Sequence, residues 1–200
     1  MNNLTNKDKY SLKLASQMGI HSNNDEAFRS FARFGQFELV KYLIKNGADI
    51  HANNDEALRS SAQRGYFDIA EYLIKNGANV HAENEEALCN SANNEHFDIV
   101  KLLVEHGADV QYKDLFLNIT YNGNNKKEGS RIDIITKYLL QKGANLKQYD
   151  EKSIVHILNN IAFRNTVTET SSMIEYLLEN SSLNKEQKKT FWVKCGLKDI

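Results

Sequence analysis

The sequence predicts an all-α stack of helix–turn–helix units, and three observations carry that prediction. The first is a repeat without gaps. Residues 23–52 and 53–82 agree at 19 of 30 positions, and residues 83–112 continue the pattern. A fixed period of this size marks a solenoid, in which each unit packs on its neighbours. The second is the apolar spacing inside each unit. In the middle repeat Ala57, Leu58, Ser61 and Ala62 share one face of a helix over Asn54 to Arg64. Ile69, Ala70, Tyr72, Leu73 and Ile74 form the stripe of a second, from about Phe67 to Asn76. The third is the punctuation. Gly65 and Gly77 close the two helices, and Asn53-Asn54 stands where a capping residue belongs, ahead of acids that suit the helix dipole. Proline is absent, so Asn and Gly must supply these breaks.

Helices of ten residues are marginal alone in water. Each pair must therefore bury its stripe against the next pair, and the recurring small residues Ala32, Ala62 and Ala92 let neighbouring helices come close. Along the chain this predicts one domain over 1–200. Residues 1–22 form an N-terminal cap helix, 23–112 three regular repeats, 113–183 two degenerate repeats, and 184–200 a C-terminal cap helix. In the fourth unit ITKYLLQKGANL keeps the second helix and its glycine. The step from Gly107 to Gly143 is longer than a repeat, and the insertion falls in the polar stretch 121–130, which reads as a mobile loop. The fifth unit is SIVHILNNIAF, a linker, then MIEYLLENSS.

Composition excludes several classes of function. The apolar share is 41% and the charged share 26%, the balance of a globular chain. A formal net charge of -1 gives no large electrostatic footprint for nucleic acid. No apolar run is long enough to span a bilayer, and the polar start lacks the core of a signal peptide. Cys89 and Cys195 fit neither a disulfide framework nor a zinc motif. The default compartment is intracellular and cytoplasmic, and a monomer without cofactor, metal or small-molecule substrate is expected.

The endings IKNGADIHA, IKNGANVHA and VEHGADVQY resemble the end of an ankyrin repeat, a helix followed by G-A-D-V-N. EALRSSAQRGYFDIAEYL is similar to the preceding T-P-L-H-x-A-A-x-x-G-H-x-x-V-V-x-L-L. The resemblance covers residues 24–112 and implies an ankyrin-repeat solenoid. Two departures matter. The unit has 30 residues where about 33 are usual, with the shortening between Ala52 and Glu56. The T-P-L-H start is replaced by Glu56-Ala57-Leu58-Arg59, so its Thr–His bonds cannot form, and short fingers without a proper β-hairpin are expected. Such Pro-free, Asn-rich repeats resemble ankyrin proteins of large DNA viruses and, less closely, of intracellular bacteria.

His21, His51 and His81 recur at one place in the repeat. Equivalent positions on stacked helices lie roughly 8–10 Å apart, too far for neighbouring rungs to share a zinc ion, whose ligands sit about 2 Å away. They read as solvent-facing loop residues. The acidic pairs Asp25/Glu26, Asp55/Glu56 and Glu85/Glu86 read as helix-start charges, and Cys89 as an inert thiol. No nucleophile–base pair and no phosphate loop is present, so no enzyme is expected.

The informative positions vary while their neighbours repeat: Arg33-Phe34, Gln63-Arg64 and Asn93-Asn94. In ankyrin arrays such positions and the fingers line the concave binding surface. Arg29 and Arg59 on the first helices, and His51 and His81 in the fingers, complete the expected contact set, rich in residue types favoured at interfaces. The expected function is binding of a partner protein. The resemblance implies an alternative, a host-directed adaptor or decoy. It would recruit a ubiquitin-ligase component, or be a substrate of the hydroxylase that modifies Asn or His in ankyrin loops.

Overall fold

The computed structural model describes residues 5, 6, 9, 10, 12, 13, 21, 23–121, 132–162 and 174–194. The chain divides into two compact units, Met1–Ala108 and Asp109–Ile200. Among the described residues there are helices and turns and no strand. Most of the expected N-terminal cap lies outside them, as do the loop 121–130 beyond Tyr121, the fifth unit's linker and Cys195.

The first unit holds three helix pairs: α1 (Glu26–Arg33) with α2 (Phe37–Lys45), α3 (Ala52–Arg64) with α4 (Phe67–Lys75), and α5 (Ala82–Asn93) with α6 (Phe97–Glu105). First helices pack on first helices, α1 on α3 on α5, and second helices likewise, α2 on α4 on α6. The expected stripes are the core. Phe28, Leu58 and Leu88 are fully buried in the first row, and Leu43, Leu73 and Leu103 in the second. Burial of such a side chain stabilises by about 1.5–3 kcal/mol. Ala32, Ala62 and Ala92 are also fully buried, as close helix approach requires.

Each second helix ends as expected. Ala78 N–H reaches the Leu73 carbonyl at 3.0 Å and Gly77 N–H the Ile74 carbonyl at 3.0 Å, with Gly77 at φ 100°. That is the paired-bond ending which needs a left-handed residue after the helix. The next residues turn on an Asp or Asn side chain, as Asp49 does for His51 N–H at 2.9 Å and Asn79 for His81 N–H at 3.0 Å.

The first helices start differently from expectation. Asn23, Asn24 and Asp25 are all left-handed, with φ of 50–55°; so are Asn53, Asn54 and Asp55, and Glu83, Asn84 and Glu85. No side-chain cap bond is made at these helix starts. The Asn pair is therefore not a helix cap but a left-handed turn, and the right-handed helix of the middle repeat starts at Glu56. The shortened finger is this turn. Left-handed backbone costs roughly 1–2 kcal/mol per residue with a Cβ, which explains why Asn and Asp, which tolerate it best, fill all six places in the first two repeats.

In the second unit α7 (Leu115–Tyr121) packs on α9 (Glu151–Ala162). Helix α8 (Ile132–Gln141) leads through Gly143 and a short 3₁₀ turn, Leu146–Gln148, into α9. A further helix, α10 (174–179), and α11 (Lys185–Lys194) follow. The core is Leu115, Phe116, Ile135, Leu139, Tyr149, Ile154, Ile157, Leu177 and Phe191. Of the expected cap over 184–200, Lys185–Lys194 are helical, and the start is closed by reciprocal bonds between Asn184 and Gln187, at 2.8 and 2.9 Å.

Candidate binding surface

Three kinds of side chain tie each repeat to the next, and they determine what remains for a partner. The first is arginine. Arg59 Nε donates to the Asn54 carbonyl and Nη2 to the Asn53 carbonyl, each at 3.0 Å, while Nη1 binds Glu86 of the next repeat. Arg29 does the same with the carbonyls of Asn24 and Asn23 and with Glu56. One guanidinium thus satisfies two carbonyls of its own left-handed turn and bridges to the following unit. Arg29 and Arg59, expected as contact residues, are mostly covered, with side chains 17% and 15% exposed.

Glu56 collects Arg29, Arg33 and the Asn53 side-chain amide. Burial alone raises its pKa; the bonds from Asn53 and Arg29, the charge of Arg29 and the bond from Arg33 together outweigh it. The carboxyl is held below the usual glutamate value. Glu56 and Glu86, read from the sequence as helix-start charges, are partners of the preceding repeat. The signal was present in the sequence: Cys89 replaces the arginine of the third repeat, and Phe116, 27 residues on, stands where a glutamate would follow.

The second tie is the histidine–acid pair. His51 Nδ1 lies 3.1 Å from Asp55, and His21 Nδ1 3.1 Å from Asp25; His81 Nδ1 meets Glu85 at 2.5 Å. The carboxylates are buried and the imidazoles largely exposed. Asp55 also accepts Asn79 N–H of the next repeat at 2.8 Å. The histidines are loop residues, as expected, with one ring nitrogen engaged in holding the turn. Among the described residues no group of three His, Cys, Asp or Glu is placed to hold a metal ion.

The third tie was missed in the sequence. The Tyr66 ring lies on Gly35, where a Cβ would come within 2.8 Å of it. The His96 ring lies on Gly65 in the same way, at 2.6 Å, and its Nε2 donates to the Gln63 carbonyl at 3.1 Å. The run Gln36, Tyr66, His96 varies between repeats as much as the expected contact positions do, and that variation was its signal.

The helix ends hold the residues left over. Phe34, in the turn after α1, is 65% exposed. Arg33, 48% exposed, bonds Glu56 alone. Gln63 and Arg64 are exposed, and Arg64 has no ion-pair partner among the described residues. Asn94 is exposed and donates to the Asn90 carbonyl at 2.8 Å. Asn93 differs from its equivalents: it is buried, and its Oδ1 has no partner among the described residues. Cys89 is buried too.

A left-handed finger turn, a helix pair closed by glycine, and a repeat-to-repeat row of buried alanines define a helical repeat array. The family model of ankyrin repeats in three copies matches residues 10–114, and the chain belongs to that family, as an all-α ankyrin-repeat solenoid. Ankyrin repeats are generally protein–protein interaction modules and typically not enzymes. No curated protein matches the chain. Among the described residues no helix is long and apolar enough to cross a membrane.

Proposed function

We propose that the chain is a non-enzymatic binding module that takes a partner protein on its concave face, along the ends of the first helices and the finger turns. One observation carries this reading. Phe34 exposes a large apolar side chain at a position where the repeat itself needs nothing, beside Arg33 and one repeat from Arg64. Aromatic and arginine side chains dominate the energy of protein interfaces. Gln63, Asn94, His51 and His81 extend the surface. Arg29 and Arg59 support it from below through their bonds to the turns. The resemblance to ankyrin proteins of large DNA viruses supports a host-cell cytoplasmic setting and a monomeric, cofactor-free protein. The adaptor and hydroxylase-substrate readings rest on that resemblance alone.

The test is affinity for a partner once one is in hand. Phe34→Ala and Arg64→Ala should each weaken binding by about 1–3 kcal/mol, with folding stability barely changed. Lys75→Ala should leave affinity intact, since Lys75 on α4 is paired with Glu71 at 2.7 Å. Loss at Lys75 without loss at Phe34 or Arg64 would move the interface to the second helices.

A further inference from the structure

The surface just proposed has a charge pattern, and on that reading the pattern names its occupant. Arg29 and Arg33 both bind Glu56 but are held unequally. Arg29 is fixed by two backbone carbonyls as well, at 2.8 and 3.0 Å. Arg33 has no other bond among the described residues. If Arg33 swings away, Glu56 keeps Arg29 and the Asn53 amide, whose Nδ2 lies 2.7 Å from Oε2, and every bond to the turn survives. Arg33 is therefore a replaceable ligand of a carboxylate already satisfied. Arg64 is exposed, with no ion-pair partner among the described residues.

Between the two cations lies an apolar floor. Phe34 is exposed next to Arg33, and the ring of partly buried Tyr66 reaches back across the repeat boundary to rest on Gly35. Phe34 and Arg64 hold equivalent positions and so lie roughly 8–10 Å apart. We infer that this surface takes an acidic segment of a partner protein, with one apolar side chain set on Phe34 and Tyr66 and a carboxylate on either side for Arg33 and Arg64. Carboxylates match guanidinium forks in bidentate geometry. A basic segment would meet two like charges here, which disfavours it.

The probe is a set of peptides selected from a random display library on the full chain, with no partner assumed. The selected peptides should carry Asp or Glu flanking a Leu, Ile or aromatic residue. Their affinity should fall on the order of tenfold or more for Phe34→Ala and for the pair Arg33→Glu with Arg64→Glu, and stay level for Lys75→Ala. Arg33→Glu sets a new acid beside Glu56. If circular dichroism shows that pair unfolded, Arg33→Gln with Arg64→Glu replaces it. Peptides that respond to Phe34→Ala but ignore the charge changes, or that share a basic or neutral motif, overturn the acidic occupant and leave the surface standing. Peptides indifferent to Phe34 and to both arginines overturn the surface itself. Binding of anionic vesicles or of RNA with the same dependence on both arginines, and no peptide selected, also overturns the inference.

Discussion

In residues 23–108 each helix pair is bonded to the next through charged side chains at fixed offsets. In 109–194 the described ties are of another kind and span 32 or 33 residues. All the ion pairs among the described residues lie in the first unit. Among the described residues of the second, the ties between helices are hydrogen bonds. Phe116 N–H donates to the buried Tyr149 hydroxyl at 3.2 Å, and the two rings meet edge-on. Ser182 Oγ donates to the Tyr149 carbonyl at 2.9 Å, and Gln111 to the Gly143 carbonyl. Asp150 caps α9, and the Ser153 backbone N–H it accepts, with the Ser153 hydroxyl, holds its carboxyl below the usual range. The comparison teaches where a repeated sequence yields a repeated bond. Arg29–Glu56 and Arg59–Glu86 persist as long as both positions persist; at Cys89 and Phe116 both members turn apolar or thiol-bearing, and both are buried.

The core sharpens the contrast most. Leu73→Ala on α4 should cost about 2–5 kcal/mol in urea melts, as for a fully buried leucine. Glu71→Ala, which breaks only an exposed pair with Lys75, should cost less than about 1 kcal/mol. Equal losses would mean that the second-helix stripe faces the wrong way.

The arginine staple comes next. Arg59→Met keeps the apolar stem and removes two carbonyl bonds and the link to Glu86. Roughly 1–3 kcal/mol should be lost. A stability within error of the parent would show that the left-handed turn holds without it, and the contrast between the two units would lose its main cause.

The smallest effect is a pH dependence. The folded chain holds Glu56 ionised to lower pH than the unfolded chain does. Its contribution to stability is therefore complete above the unfolded glutamate pKa and is lost as pH falls through the lower folded value. Glu56→Gln should flatten the acid side of the stability profile and leave its alkaline side unchanged in slope. An acid limb as steep as the parent's would refute the role given to this carboxylate.

Much of this was legible in the sequence. The gapless repeat, the two stripes and the glycines gave the helix pairs, because each depends on residues close together within a unit. The lack of a finger hairpin followed from the three missing residues. The left-handed triplets did not follow. Asn-Asn-Asp reads equally as a helix cap, and the bonds that accompany the turn, from Arg59 to its carbonyls and from Asn79 N–H of the next repeat to Asp55, are not visible in the pattern. The staples were hidden for a related reason. An offset of 27 crosses the repeat boundary, so Arg59 and Glu86 never appear in one unit. Exposure at the variable pairs was only partly readable: Gln63 and Arg64 face water, whereas Asn93, at the place of Gln63, is buried at the end of a helix one residue shorter.

Hydrogen exchange of the whole chain, with and without Arg59→Met, tests the central claim most directly, since it reads local stability along the array. In the parent the amides of 56–75 should exchange more slowly than those of 151–162 and 174–179. Arg59→Met should speed exchange in 56–75 and 86–105 and leave 151–179 unchanged. Slower exchange in 151–179 than in 56–75, or no local change on removing Arg59, would contradict an array held together by charged ties between repeats.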